Sequence, residues 1–124
     1  MSKKSEAQIE AAVCKMAEGM GFLQYKFVSP GKRGVPDRLF ATAKSYTPIL
    51  FFIEFKRPGG VLSNHQIKVI KELKTKAVHT IIIDSEYFAE EFFGSIIELI
   101  KDPSIDPQDV TDYLEAMSAQ SLNG

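Results

Sequence analysis

The spacing of apolar side chains changes period several times along this chain, and each change marks an element. Ile9, Val13, Met16 and Met20 recur at steps of four, three and four, which predicts an amphipathic helix over residues 5–19 with Ser5 as N-cap and Ser2 as an alternative start. Gly19 and Gly21 supply its stop. The run FLQYKFV at 22–28 alternates, with Gln24 and Lys26 as polar interruptions, and reads as a half-buried strand closed by the Ser29–Gly34 turn SPGKRG. A second strand is predicted over 35–42, with Leu39 and Phe40 in the core and Pro36 at its start, where no ladder donor is needed. After a turn at 44–48, Ile49–Phe55 is almost continuously apolar, as in a central strand buried on both faces. Ser63 and Gln66 match a capping box at the head of a helix reaching about Lys76, with Ile67, Ile70 and Leu73 as its apolar face. A strand over 78–83 follows. Asp84 or Ser85 then caps a helix to about Ile100, stopped by Asp102-Pro103, and a short acidic helix over 110–117 precedes a frayed SAQSLNG end. The order is helix, three strands, helix, strand, helix: an α/β domain with a central sheet flanked by helices.

Composition narrows this modestly. A chain of 124 residues, 44% hydrophobic and 25% charged, is expected to form one domain with one core, with residues 103–124 as an acidic tail or short helix. The N-terminal MSKKSEAQIE has no secretory apolar run and nothing approaches the length of a spanning helix, so an intracellular protein without membrane contact is expected. Cys14 is alone and sits at a helical position beside apolar neighbours, which predicts a core thiol and excludes an internal disulfide. The formal net charge of −1 hides an asymmetry. Residues 1–76 hold 14 Lys/Arg against 6 Asp/Glu, and residues 77–124 hold 1 against 10. The first part is suited to face a polyanion, with the acidic end turned away.

Candidate chemistry gathers on the middle strands. Glu54 and Lys56 interrupt a strand that should be buried, so their charges require a counterion, a ligand or an opening to solvent. Asp37 at the start of one strand and Glu54 near the end of the next face each other if those strands pair antiparallel. They then offer hard oxygen ligands suited to magnesium. Lys56, two residues from Glu54, shares its face and is placed to orient a water or to balance charge on a phosphate. Glu6 and Glu10 lie one turn apart beside the apolar stripe of the first helix, either bordering a cleft or simply solvated. The SPGKRG loop combines cations with flexible glycines that allow close approach of backbone to phosphate, but lacks Walker A spacing. Gln66 is sufficiently explained by its capping role.

Pro36-Asp37, a spacer of 16 residues, then Glu54-Phe55-Lys56 resembles the signature of the PD-(D/E)XK nuclease superfamily. The wider GVPDRLF, IEFKRPGG and LSNHQ resemble more narrowly the VRR-Nuc family, particularly its small stand-alone phage-type members, over roughly residues 5–84. The resemblance implies a restriction-endonuclease-like core with a mixed sheet. It implies Asp37 and Glu54 as metal-binding acids, the Phe55 backbone carbonyl as a further ligand and Lys56 as the catalytic lysine. Glu10 corresponds to the helix acid that contacts metal through water, with Glu6 the weaker match, and Gln66 to the glutamine supporting the site. The implied cofactor is Mg2+, with Mn2+ able to substitute. The implied activity is hydrolysis of DNA, selective for branched forms such as four-way (Holliday) junctions, by a homodimer, in the cytoplasm of a bacterial host if the gene is carried by a phage or prophage. Lys32, Arg33, Arg38, Arg57, Lys68 and Lys71 are the candidate DNA contacts. Phe88, Phe92, Phe93, Tyr113 and the acidic C-terminal segment are candidates for the dimer interface, although an ordinary core explains several of the aromatics as well. Family members often carry a basic residue on the last core strand, whereas VHTIIIDSE here has no arginine.

Overall fold

The computed structural model describes residues 4–42 and 49–123. The turn expected at 44–48 lies outside the described residues, as does Ser2. The first helix, α1 (Glu6–Gly19), begins at Ser5. The Ser5 hydroxyl accepts from the Gln8 backbone N–H, and the Gln8 side chain accepts from the Ser5 N–H at 2.8 Å. This reciprocal cap was not anticipated and fixes the start of the helix. Its apolar stripe buries Ile9, Val13, Cys14 and Ala17.

Four strands follow from the alternating and apolar runs: β1 (Leu23–Lys26), β2 (Arg38–Thr42), β3 (Ile49–Phe55) and β4 (Thr80–Ile83). They form a mixed sheet in the order β1-β2-β3-β4, with the first two pairings antiparallel and the last parallel. The parallel step needs a crossover, supplied by α2 (Asn64–Lys74). Two helices complete the chain, α3 (Glu86–Lys101) and α4 (Pro107–Asn123). This is the expected α/β architecture, a mixed sheet flanked by helices in the manner of a restriction-endonuclease-like core.

Helices α1 and α3 cover one face of the sheet around a cluster of aromatic rings. Phe40 stacks on Phe51 with centroids 5.8 Å apart, and Phe93 meets Phe22 at 4.9 Å. Phe92 packs edge-on to Phe51 and is itself covered by Tyr113 of α4 at 5.9 Å. Phe92 and Phe93 are therefore core, as are Val110 and Leu114. Of the aromatics considered for a dimer interface, Phe92 and Phe93 take the core alternative, while Phe88 and Tyr113 are partly buried against that core. The same packing, which also buries Ser118, explains why α4 continues beyond the 110–117 expected for it. Cys14 is buried, and burial pushes its thiol up to about 11, that of an inert core group. Among the described residues no helix is long and apolar enough to cross a membrane.

Candidate active site

Antiparallel pairing sets Arg38 against Ile53 on the α1 side of the sheet and Leu39 against Phe52 on the opposite face. Continuing that register by one step brings Asp37 opposite Glu54. Asp37 caps the ladder with its side chain, its Oδ2 accepting from the Phe55 N–H at 2.8 Å. Its backbone carbonyl accepts from the Phe27 N–H, so the residue is held from both neighbouring strands. The loop leading to it is pressed against the start of α2. Gly34, at φ 84°, passes so close that an added Cβ would stand 2.8 Å from the Gln66 nitrogen and closer still to the His65 carbonyl.

Glu54 is only 2% exposed. Its Oε2 accepts from Gln66 Nε2 at 3.1 Å and lies 4.0 Å from Lys56 Nζ, while its Oε1 is buried without a hydrogen-bond partner. Burial pushes its carboxyl up to about 8, reinforced by the neighbouring Asp37 and opposed by Lys56. Gln66 performs both tasks considered for it. Its Oε1 accepts from the Ser63 N–H at 2.8 Å, completing the capping box, and its amide nitrogen donates to Glu54. Asp37, Glu54, Lys56 and Gln66 thus converge on one spot.

The two first-helix acids are placed differently. Glu10 is half-buried and its Oε2 accepts from Arg38 Nε at 2.6 Å, on the α1 side of the sheet. Glu6, exposed one turn earlier, is the α1 carboxylate whose charge raises Glu54. Helical spacing places both on one margin of α1, and only the position of Arg38 decides between them. Arg38 belongs to the same arrangement. Its guanidinium is committed to Glu10 and, through Nη1, to Gln24 Oε1 at 2.6 Å, so it is not free for a phosphate. Gln24, missed by sequence reasoning, was visible only as a polar interruption in β1. Lys32 pairs with Glu72 at 2.9 Å on the surface. Arg33, Arg57, Lys68 and Lys71 are exposed. His65 is exposed, and His79 is buried under α4.

Among the described residues no three of His, Cys, Asp and Glu form a ready cation cage. The donor set at the convergence is smaller: two carboxyls side by side, one with a buried, unpartnered oxygen. That chemistry fits a hard divalent ion which keeps several of its own waters, as magnesium does. A carboxylate oxygen buried without a donor is costly in isolation and is relieved either by a proton, as the raised Glu54 carboxyl holds, or by a cation that displaces it.

No family model matches the chain. Over 81 residues, 65% of this chain, it is 36% identical to a protein of Acyrthosiphon pisum secondary endosymbiont phage 1 named "Putative nuclease p44", of which the match covers 84%.

Proposed function

Because this chain belongs to the family of that phage protein, we propose that it is a nuclease, more narrowly a metal-dependent deoxyribonuclease of the VRR-Nuc type. The observation that carries the reading is Glu54: a buried carboxyl with one free oxygen, paired across strands with Asp37 and flanked by Lys56. With Asp37 beside it, the unpartnered oxygen of Glu54 offers a hard ligand that a cation would satisfy.

Asp37, Glu54 and the Phe55 carbonyl would hold Mg2+ or Mn2+, with Glu6 as an outer partner through water. When bound, the ion polarises the phosphodiester and lowers the pKa of water. Around it the chain has distinct tasks. Gln66 fixes one oxygen of Glu54, so that the other stays turned to the site. Asp37 is oriented by the Phe55 N–H, which ties its position to the end of β3. The Lys56 ammonium stands where it can orient the attacking water and balance the charge that grows on the phosphate oxygens. The water oxygen bonds to phosphorus, one P–O ester bond breaks, and the products are a phosphate monoester and a hydroxyl. Arg33, Arg57, Lys68 and Lys71 would hold the phosphate backbone, and none of them is arranged to read bases. Branched DNA such as a four-way junction is the substrate class this suits, and paired incisions there call for two sites, hence a homodimer.

The test is Asp37→Ala with magnesium present: cleavage of a junction should vanish while binding persists. Wild-type protein that cuts no DNA form with magnesium or manganese, yet binds junctions, would leave a catalytically silent clamp as the better description.

A further inference from the structure

The sheet face that carries Asp37 and Glu54 extends past α2 as open apolar surface. The ring of Phe27 meets that of Phe52 at 5.1 Å, and Phe52 lies two residues from Glu54 on β3. This places Phe27 on the Glu54 side, and alternation along β1 places Tyr25 and Leu23 there too. Register extends the surface inward, since Tyr25 pairs with Leu39 and Leu23 with Ala41, which in turn pairs with Leu50. Leu23 is 61% exposed, Tyr25 65% and Leu50 52%. Among the described residues no helix covers them, although α1, α3 and α4 close the other face and α2 covers the β4 side of this one. A contiguous exposed apolar patch of this kind marks an interaction site.

Charge selects the occupant. The exposed cations Arg33, Arg57, Lys68 and Lys71 stand on the loop before β2, the end of β3 and α2, around Asp37 and Glu54, while Glu72 of α2 is already paired with Lys32. A two-fold contact between copies would set this basic surface against itself. A polyanion is attracted to it. The occupant must then combine apolar faces with an anionic backbone, which describes unpaired nucleotides. In a duplex the base faces are covered by their neighbours, whereas splayed bases stack on aromatic side chains projecting from a sheet.

We propose that the open sheet face is a stacking platform for unpaired nucleotides beside the phosphate to be cut, with Tyr25 and Phe27 as its aromatic contacts. The proposal rests on the nuclease reading and sharpens its substrate: DNA in which strands separate next to the scissile bond, as at a branch point or tail, in preference to continuous duplex. Specificity for structure would then come from base stacking as well as from phosphate geometry.

The experiment compares a blunt duplex with the same duplex carrying a single-stranded tail, by fluorescence anisotropy in EDTA so that nothing is cut. Wild-type protein should prefer the tailed form by about tenfold. Tyr25→Ala should lose that preference while keeping its affinity for blunt duplex, and Tyr25→Phe should retain it. Tyr25 is exposed enough that removal of its ring should leave the fold intact, which circular dichroism checks. The chain contains no tryptophan, so Tyr25→Trp places a single indole on the platform. Its emission should be quenched by the tailed DNA and not by the blunt form. Equal affinities in wild type, or a tail preference that survives Tyr25→Ala, would overturn the proposal. So would a wild-type dimer that Tyr25→Ala converts to monomer in sedimentation, since the face would then belong to a second copy. Wild-type protein that binds neither DNA would instead defeat the nuclease reading itself.

Discussion

At the scale of single residues, the decisive group is Glu54. Its carboxyl is raised to about 8, first by burial and then by Asp37, so at neutral pH the cation-free protein holds a proton there. A divalent ion must displace that proton, because ligands bind deprotonated. Calorimetry at pH 7 in two buffers of different ionisation enthalpy should therefore detect release of about one proton per manganese bound. Apparent affinity should rise with pH up to about 8 and level off above it. Uptake with no proton release would place the ion elsewhere. Gln66 can be dissected in the same spirit, because it shares the cap with Ser63 but alone touches Glu54. Ser63→Ala should cost about 1 kcal/mol of stability and leave cleavage nearly intact. Gln66→Ala should cost a similar amount and also slow cleavage about tenfold or more, since it frees the side chain that it holds. Equal rates in the two variants would reduce Gln66 to a cap.

At the scale of elements, the site depends on a loop and a helix start held in contact. Gly34 has φ 84° and stands against the His65–Gln66 backbone, whereas Gly31 has φ 90° with open space around it. Both positions strain an L side chain, but only the first also collides. Gly34→Ala should therefore destabilise by about 1–3 kcal/mol or more and depress cleavage by displacing Asp37 and Gln66. Gly31→Ala should show the conformational cost alone, and urea denaturation of the two checks the difference. This contact was not legible in the sequence. Periodicity predicted the elements well, and the continuous run Ile49–Phe55 placed β3 at the centre, because such patterns report local burial. Cross-strand pairing of Asp37 with Glu54 followed once antiparallel order was assumed. What the sequence could not supply was competition between partners. Arg38 looked like a free cation and Glu10 like a metal neighbour until the fold set them 2.6 Å apart, and the choice between core and interface for Phe92 stayed open until Tyr113 of α4 packed on it. Those outcomes depend on distant segments meeting, which no local pattern encodes.

At the scale of the whole molecule, the two faces of the sheet divide stability from function. The acidic helices α3 and α4 pack with α1 on the Phe51 side, while Asp37, Glu54, Lys56 and the lysine-bearing α2 occupy the other, so stability and chemistry are built on different faces. Two buried ionisable groups then shape the response to pH, one on each side of neutrality. His79 is held below its ordinary 6.5, chiefly by burial, with nearby Lys74 acting in the same sense and Glu115 opposing. Below 6.5 the unfolded chain takes up a proton there that the folded chain resists, so stability falls as pH drops. Glu54 has the opposite sign: between 4.5 and about 8 the folded chain keeps a proton that the unfolded chain has lost, so stability falls as pH rises. Just below 6.5 the two slopes oppose each other, and above it Glu54 acts alone. In EDTA, urea denaturation should therefore show a loss of roughly 2 kcal/mol between pH 6.5 and 8, at about 1.4 kcal/mol per unit for one proton. Magnesium should remove most of that decline by neutralising the ionised pair, and Glu54→Gln should abolish it without magnesium. A decline that persists unchanged in Glu54→Gln would show that the alkaline limb arises from another group.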